Sequence, residues 1–199
     1  MLRIESVIRP KSLDEALVAI AEDSSLKLFA GGTDLMVQLQ DSSRKIRLMD
    51  ISEMQELRYL RLEGGKVHIG ANMTHAEIAE SGLVREKAPL LAQSSAVMGG
   101  PAIRNRATIG GNVANSSPVA ESFPTLIAHG AEVMMISIRG KRRMQVEDFH
   151  LGPGRNALEP DELILGFEIP AVGEDFFGFY ERLGSRAAMT ITKVGVALA

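Results

Sequence analysis

The chain has 199 residues, 45% of them hydrophobic and 24% charged, an ordinary globular balance with enough length for one large core or two small ones. A formal net charge of −3, no Trp, seven Phe and two Tyr give neither the electrostatic nor the stacking footprint of a nucleic-acid binder. With no Cys the chain has no disulfide, no thiolate-held iron–sulfur cluster and no thiol nucleophile, so any redox centre must be a bound organic cofactor.

In chain order, "IESVI" at 4–8 has strand character, and Ser12 with Glu15 spells a capping box opening "LDEALVAIAE", where Leu13, Leu17 and Ile20 share one helical face. "LKLFA" is the next strand, "TDLMVQLQ" the next helix, and "KIRLMDI" a third strand. Right-handed crossovers would make this βαβαβ run a small parallel sheet with its strand ends gathered on one edge. That edge includes "LFAGGTDL", where Gly31 and Gly32 stand between a strand and the helix-opening Thr33 and Asp34. Bare backbone N–H groups at such a turn can hold a phosphate, and they can equally form a tight connection.

After about residue 55 the pattern changes. "LRYLRL" and "KVHIG" flank a glycine turn and read as a hairpin. Thr74 with Glu77 is a second capping box for a helix through about Ser81, and Pro89 opens another that stops at Gly99 and Gly100. "AEVMMISI" and "RRMQV" pair around a charged turn, "RGKRR". "ELILGFEIP" and "FFGFYERL" are further strands, with antiparallel pairing the economical expectation. Gly152, Pro153, Gly154 and Pro160 mark a long irregular connection.

Residues 100–121, "GPAIRNRATIGGNVANSSPVAE", read as a long polar loop without an element of its own, which is usually functional or disordered. Ile109 and Val113 would anchor it while Gly110 and Gly111 let the backbone approach something closely. Two glycine-paired loops on separate subdomains could grip one diphosphate from both sides, with each charge-assisted N–H bond contributing roughly 1.5–3 kcal/mol. Neither pair has the Lys of a P-loop or the spacing of a dinucleotide-binding strand–turn–helix.

"LFAGGTDL", "GANMTHAEI", "ATIGGNVANSSPVAE" and "FHLGPGRNALEPDELILGFEIP", in this order, resemble the FAD-binding medium subunit of the molybdenum hydroxylases, the xanthine, carbon monoxide and aldehyde dehydrogenases. The resemblance implies an α+β flavoprotein fold of two subdomains, of the vanillyl-alcohol oxidase or PCMH type: a small parallel βαβαβ lobe at 1–55 and a larger, mainly antiparallel lobe at 56–170. It implies FAD between them, contacted by Leu28, Phe29, Ala30, Gly31, Gly32, Thr33, Asp34 and Leu35 and by Thr108, Ile109, Gly110, Gly111 and Asn112. Glu121 stands where the family usually has Asp and is expected to reach the cofactor's hydroxyls. Ile164 matches an apolar position beside the isoalloxazine, and Arg182 falls near a site commonly held by Lys, a different donor geometry. The implied partners are a molybdenum-cofactor large subunit and a [2Fe–2S] small subunit, with NAD+ or another acceptor receiving the electrons.

Residues 171–199 look like the start of a further C-terminal domain, cut short, and "TITKVGVALA" is expected to be an unpaired apolar strand. A chain that no longer retains FAD, acting as an interaction or assembly module, is the competing expectation. The spacing of His68, His75, His129 and His150 suggests no metal site. His75 and Tyr180 lie close enough to the expected cleft for a contact, although each also reads as a core residue. Glycine-to-valine changes at 32 or 111 are expected to block FAD while sparing the fold. No run approaches the length of a membrane span, which gives a cytoplasmic expectation.

Overall fold

The computed structural model describes residues 4–40, 45–185 and 191–199. The N-terminal run folds as β1 (Ile4–Ile8), α1 (Leu13–Glu22), β2 (Lys27–Phe29), α2 (Leu35–Gln40) and β3 (Ile46–Asp50). Its sheet has the order β1-β3-β2 with both pairings parallel, the arrangement that crossover helices impose. Ser12 caps α1 by accepting from Glu15 N, while the Glu15 carboxylate reaches back to Lys11 N at 2.7 Å, one residue beyond a strict capping box.

A short turn at Gln55–Leu57 leads to β4 (Leu60–Glu63) and β5 (Lys66–Gly70), and then to a helical stretch. This comprises α3 (His75–Glu80), α4 (Gly82–Lys87), α5 (Pro89–Val97), α6 (Pro101–Arg104), α7 (Ile109–Asn115) and α8 (Ser122–Ala128). Thr74 and Glu77 form the full capping box of α3, and Pro89 occupies the first position of α5. The segment expected to be a structureless loop therefore holds α6 and α7, because Pro101 and Thr108 each start a helix. After β6 (Glu132–Ser137) and β7 (Gly140–Gln145) come α9 (Val146–Phe149), β8 (His150–Gly152), β9 (Arg155–Asn156) and β10 (Leu163–Pro170). The last elements are β11 (Phe179–Gly184) and β12 (Thr192–Leu198). The terminal strand is not unpaired as expected: β12 runs antiparallel to β11 from Phe179↔Leu198 to Gly184↔Thr192.

The larger lobe is a five-stranded antiparallel sheet of order β4-β5-β10-β6-β7. One face carries Val67, Ile69, Val133, Met135, Phe167 and Ile169 against Ile78, Leu91, Ile109, Val113 and Leu126 of the helices. A register shift between Ile164 and Gly166 reverses the alternation of β10, so Ile164 shares this core with Phe167 while Leu163 and Leu165 face the other way. There they meet Leu17, Ile20, Met49, Ile51 and Leu57 in a second core, which joins the two lobes. The "RGKRR" run, expected as a charged turn, contributes only Arg139 to the two-residue β6–β7 turn, and Gly140 to Arg143 are already paired in β7. Arg142 grips both oxygens of the buried Glu162 at 2.6 Å.

Two buried histidines are expected to make this fold acid-sensitive. His75 bonds Ser95 Oγ through Nδ1 at 3.0 Å, and burial pushes its pKa down to about 3. His129 Nε2 accepts from Leu90 N at 3.2 Å near the start of α5, and burial pushes its pKa down to about 4. Both are neutral in the folded protein, whereas the unfolded chain takes up protons below about 6.5. Their contribution is fully present above that pH and is lost as the pH falls toward the folded values. Glu162, held below the usual carboxylate range by Arg142, adds a further loss at lower pH. Urea denaturation at pH 7 and pH 4.5 is expected to show a stability loss of several kcal/mol, on the order of 1.4 kcal/mol per pH unit per histidine, about half of it removed in His129→Gln. A flat profile between these pH values would refute the assignment.

Candidate functional site

The lobes enclose a cavity of about 550 Å³. Its floor is where the two glycine segments meet. A side chain at Gly31 would collide with the Arg106 carbonyl and sit 3.1 Å from Ala107 Cα, so the chains touch backbone to backbone. Gly32 has φ +71°, and its Cα faces the Phe29 ring, which a side chain there would strike. Valine at 32 is thus expected to disturb the loop itself, which corrects the expectation of an intact fold.

The two segments treat their N–H groups in opposite ways. From Gly31 to Leu35, no backbone N–H finds a hydrogen-bond acceptor among the described residues; donation into α2 resumes with Met36 N to Gly32 O at 3.0 Å. Around Gly110 every donor is engaged. Ile109 N bonds Met73 O at 3.0 Å and Gly110 N bonds Ala71 O at 2.9 Å, while Gly111 N and Asn112 N bond the side chain and carbonyl of Thr108 at 3.1 and 2.9 Å. A Cβ on Gly110 would lie 2.7 Å from Ala71 Cβ, so that glycine serves close packing of α7 on the end of β5. The two glycine segments, expected to grip a diphosphate from both sides, thus differ: the N–H groups of the Gly31 loop are unengaged, and those at Ile109 to Asn112 are bonded within the protein.

The second segment carries an unsatisfied group. Asn112 Oδ1 is buried without a hydrogen-bond partner, and Asn112 lines the cavity. Buried polar oxygens are ordinarily paired, so an orphan beside a cavity marks a place for a ligand donor. The helix that bears it is pinned at its far end by the irregular connection: Asn156 Nδ2 bonds Ala114 O at 2.7 Å, and Gly154 N bonds Ser116 O at 2.9 Å. Ser116 itself is held at φ 46°. At the mouth, Gln38 on α2 donates to the Asp34 carboxylate and, at 3.1 Å, to Asn115 Oδ1 on α7, bridging the lobes.

Of the residues expected at the site, Leu28, Ala30, Gly31, Gly32, Thr33, Asp34 and Leu35 line the cavity, as do Thr108, Gly110, Gly111, Asn112, Glu121 and Ile164. Three do not. Phe29 packs beneath Gly32, Ile109 is fully buried in the larger core, and Arg182 stands behind Glu121, bonding it at 3.2 Å. His75 is fully buried away from the cavity, and Tyr180 is buried against the helices, its backbone N bonded to Gln93 Oε1 at 2.8 Å. The sequence reading missed Gln38, Asn72, Met98, Leu163 and Thr192. Gln38 alone carried a signal, lying one helical turn after Asp34. Among the described residues no cluster of His, Asp and Glu could hold a metal ion, and no helix is long and apolar enough to cross a membrane.

The cavity thus combines a row of unengaged N–H donors, apolar walls, one orphaned amide oxygen and two carboxylates, Asp34 and Glu121, which suits an elongated ligand with an anionic stretch, hydroxyls and an apolar ring. Residues 2–172 match the family described as "FAD binding domain in molybdopterin dehydrogenase". The chain is 33% identical over 200 residues to the xanthine dehydrogenase FAD-binding subunit of Escherichia coli O157:H7, covering 99% of this chain and 68% of that one. It is 32% identical to the carbon monoxide dehydrogenase medium chain of Hydrogenophaga pseudoflava, covering 87% and 61%. A solved carbon monoxide dehydrogenase from the latter organism superposes with a TM-score of 0.94 at 30% identity, over 99% of this chain and 69% of that chain. The quinoline 2-oxidoreductase of Pseudomonas putida 86 does so at 0.91 and 26%, over 98% and 67%.

Proposed function

The chain belongs to the FAD-binding family of the molybdopterin dehydrogenases, and from that membership we propose that it holds FAD in the interlobe cavity as the flavin station of a multi-subunit oxidoreductase. The carrying observation is the row of N–H groups at Gly31 to Leu35 left without acceptors on the cavity wall. Three or more such donors on a diphosphate, at roughly 1.5–3 kcal/mol each, supply a large share of micromolar binding without any lysine. Asn112 would accept from the cofactor through its orphaned Oδ1, Glu121 would take ribityl hydroxyls, and Ile164 would form an apolar wall against the ring. Arg182 would act on the cofactor only through Glu121.

When bound, FAD supplies the redox chemistry, accepting electrons singly or in pairs. The chain's own part is to fix the cofactor between rigid walls, to exclude water with Leu28, Ile51, Met98 and Leu163, and to leave one side approachable. No side chain here is assigned a bond-making role. In this reading residues 1–55 and 56–170 form the two walls and 171–199 begin a third unit. The partners are a molybdenum-cofactor subunit and a [2Fe–2S] subunit, from whose clusters electrons pass through the flavin to NAD+ or another acceptor.

A second reading, an interaction module without flavin, draws on the outer face of β11–β12, where Leu183, Val194 and Leu198 are more than half exposed. Titrating the chain with FAD separates the two. Saturable quenching of flavin fluorescence at micromolar concentration or below is expected; no saturable quenching would favour the module.

A further inference from the structure

Glu121 faces two ways. It lines the cavity, and its Oε1 receives two bonds from the C-terminal hairpin: Arg182 Nη1 at 3.2 Å and Thr192 Oγ1 at 3.1 Å. Its Oε2 has no partner among the described residues. The Glu121 and Arg182 side chains are only 11% and 10% exposed, so the pair sits where charges are weakly screened, while Oε2 opens onto the cavity.

The hairpin that provides these donors has two unlike faces. Tyr180, Arg182 and Thr192 turn inward, with Tyr180 and Thr192 buried. Phe179, Leu183, Val194, Val196 and Leu198 lie on the opposite, exposed face, as the cross-strand register requires. A two-stranded sheet with one solvent-exposed apolar face is marginal by itself, so its inward polar ties matter to its order.

We propose that Glu121 couples occupancy of the cavity to the order of the β11–β12 hairpin, with Arg182 as the positioning residue on the hairpin side. A ligand hydroxyl donating to Oε2 takes the place of exchanging solvent there and fixes the orientation of the carboxylate. That orientation is the one in which Oε1 meets both Arg182 and Thr192. A bound ligand also displaces water from the cavity side of the pair, which strengthens the attraction. The coupling is therefore positive and reciprocal: a polyol-bearing ligand orders the hairpin, and an ordered hairpin raises affinity for that ligand. The inference rests on the FAD reading, which supplies the polyol as the ribityl chain.

Hydrogen exchange of the full chain, read by mass spectrometry with and without FAD, tests it. FAD is expected to slow exchange across 179–184 and 192–198 by about 5- to 150-fold, the usual range of such coupling. Arg182→Met is expected to weaken FAD binding by a similar factor and to abolish the FAD-dependent protection of the hairpin, while Arg182→Lys restores part of both. Thr192→Val, which keeps volume and removes one of the two bonds, is expected to lose part of the protection. Saturable FAD binding to the wild type with unchanged hairpin exchange, or equal protection in Arg182→Met, overturns the coupling and leaves the FAD reading standing. Absence of saturable FAD binding overturns that reading and the coupling with it.

Discussion

Gly31→Ala is expected to lose FAD affinity by at least about 100-fold and to lower Tm by several degrees, one methyl group acting on both lobes at once. The added Cβ would run into the Arg106 carbonyl, with Ala107 Cα close behind. Neither is the end of a flexible side chain that could rotate aside, so the two backbones must separate. Overpacking of this kind costs about 1–3 kcal/mol, and in a domain of this size 1 kcal/mol corresponds to roughly 2–4 °C. The affinity loss is larger than the stability loss because separation moves the donors of Gly31 to Leu35 relative to Asn112 on the facing wall. A 1 Å misplacement of positioned groups is enough for about a 100-fold effect. Gly111→Ala is the control. Its Cβ would meet only Thr108 Oγ1, at 2.9 Å, so the expected cost is a weakened cap of about 1 kcal/mol and a modest change in FAD binding. Thermal denaturation and flavin titration of both variants check the pair, and wild-type values for Gly31→Ala would show that the lobes do not meet as described.

The contrast between these glycines also marks how far the sequence could be read. The parallel lobe was legible because its signals are local: the Ser12 cap, the periodicity of Leu13, Leu17 and Ile20, and the apolar run before Gly31. The same holds for Thr74 with Glu77, and for Pro89 at the start of α5. The family's motif also placed the cavity, and most of the residues expected there line it. What stayed hidden was the use each backbone group is put to. Gly110 N is spent on Ala71 O, a partner 39 positions away that no local pattern announces. Helix α7 has little local signal, because residues 100–121 hold few large apolar residues and Gly110 and Gly111 are poor helix formers, and packing against the end of β5 outweighs that propensity. Arg182, which the motif aligns with a cofactor contact, lies outside the cavity lining and bonds Glu121 and Thr192. A motif specifies which residues gather, and long-range packing decides which of their atoms remain available.

Asn112→Leu is expected to move stability and binding in opposite directions. Asn112 Oδ1 is buried with no hydrogen-bond partner in the protein, and an unpaired buried oxygen costs about 1–3 kcal/mol relative to a satisfied one. Leucine has a similar size and no polar atom, so it removes that burden without opening a void, and the FAD-free variant is expected to gain about 1 kcal/mol, or roughly 2–4 °C in Tm. With FAD the sign reverses, because the oxygen that was unpaired in the free protein is the one available to a cofactor donor. Losing that bond is expected to weaken FAD binding by about 10-fold, the equivalent of roughly 1.4 kcal/mol. A residue kept only for packing would show no such split, since an apolar isostere would leave both quantities unchanged or move them together. Functional groups held at a stability cost behave this way because the free protein carries a strain that only the ligand relieves. Tm of the FAD-free variant and its FAD affinity, measured on one preparation, decide the matter: a fall in Tm with unchanged affinity would place Asn112 in the scaffold and remove it from the site.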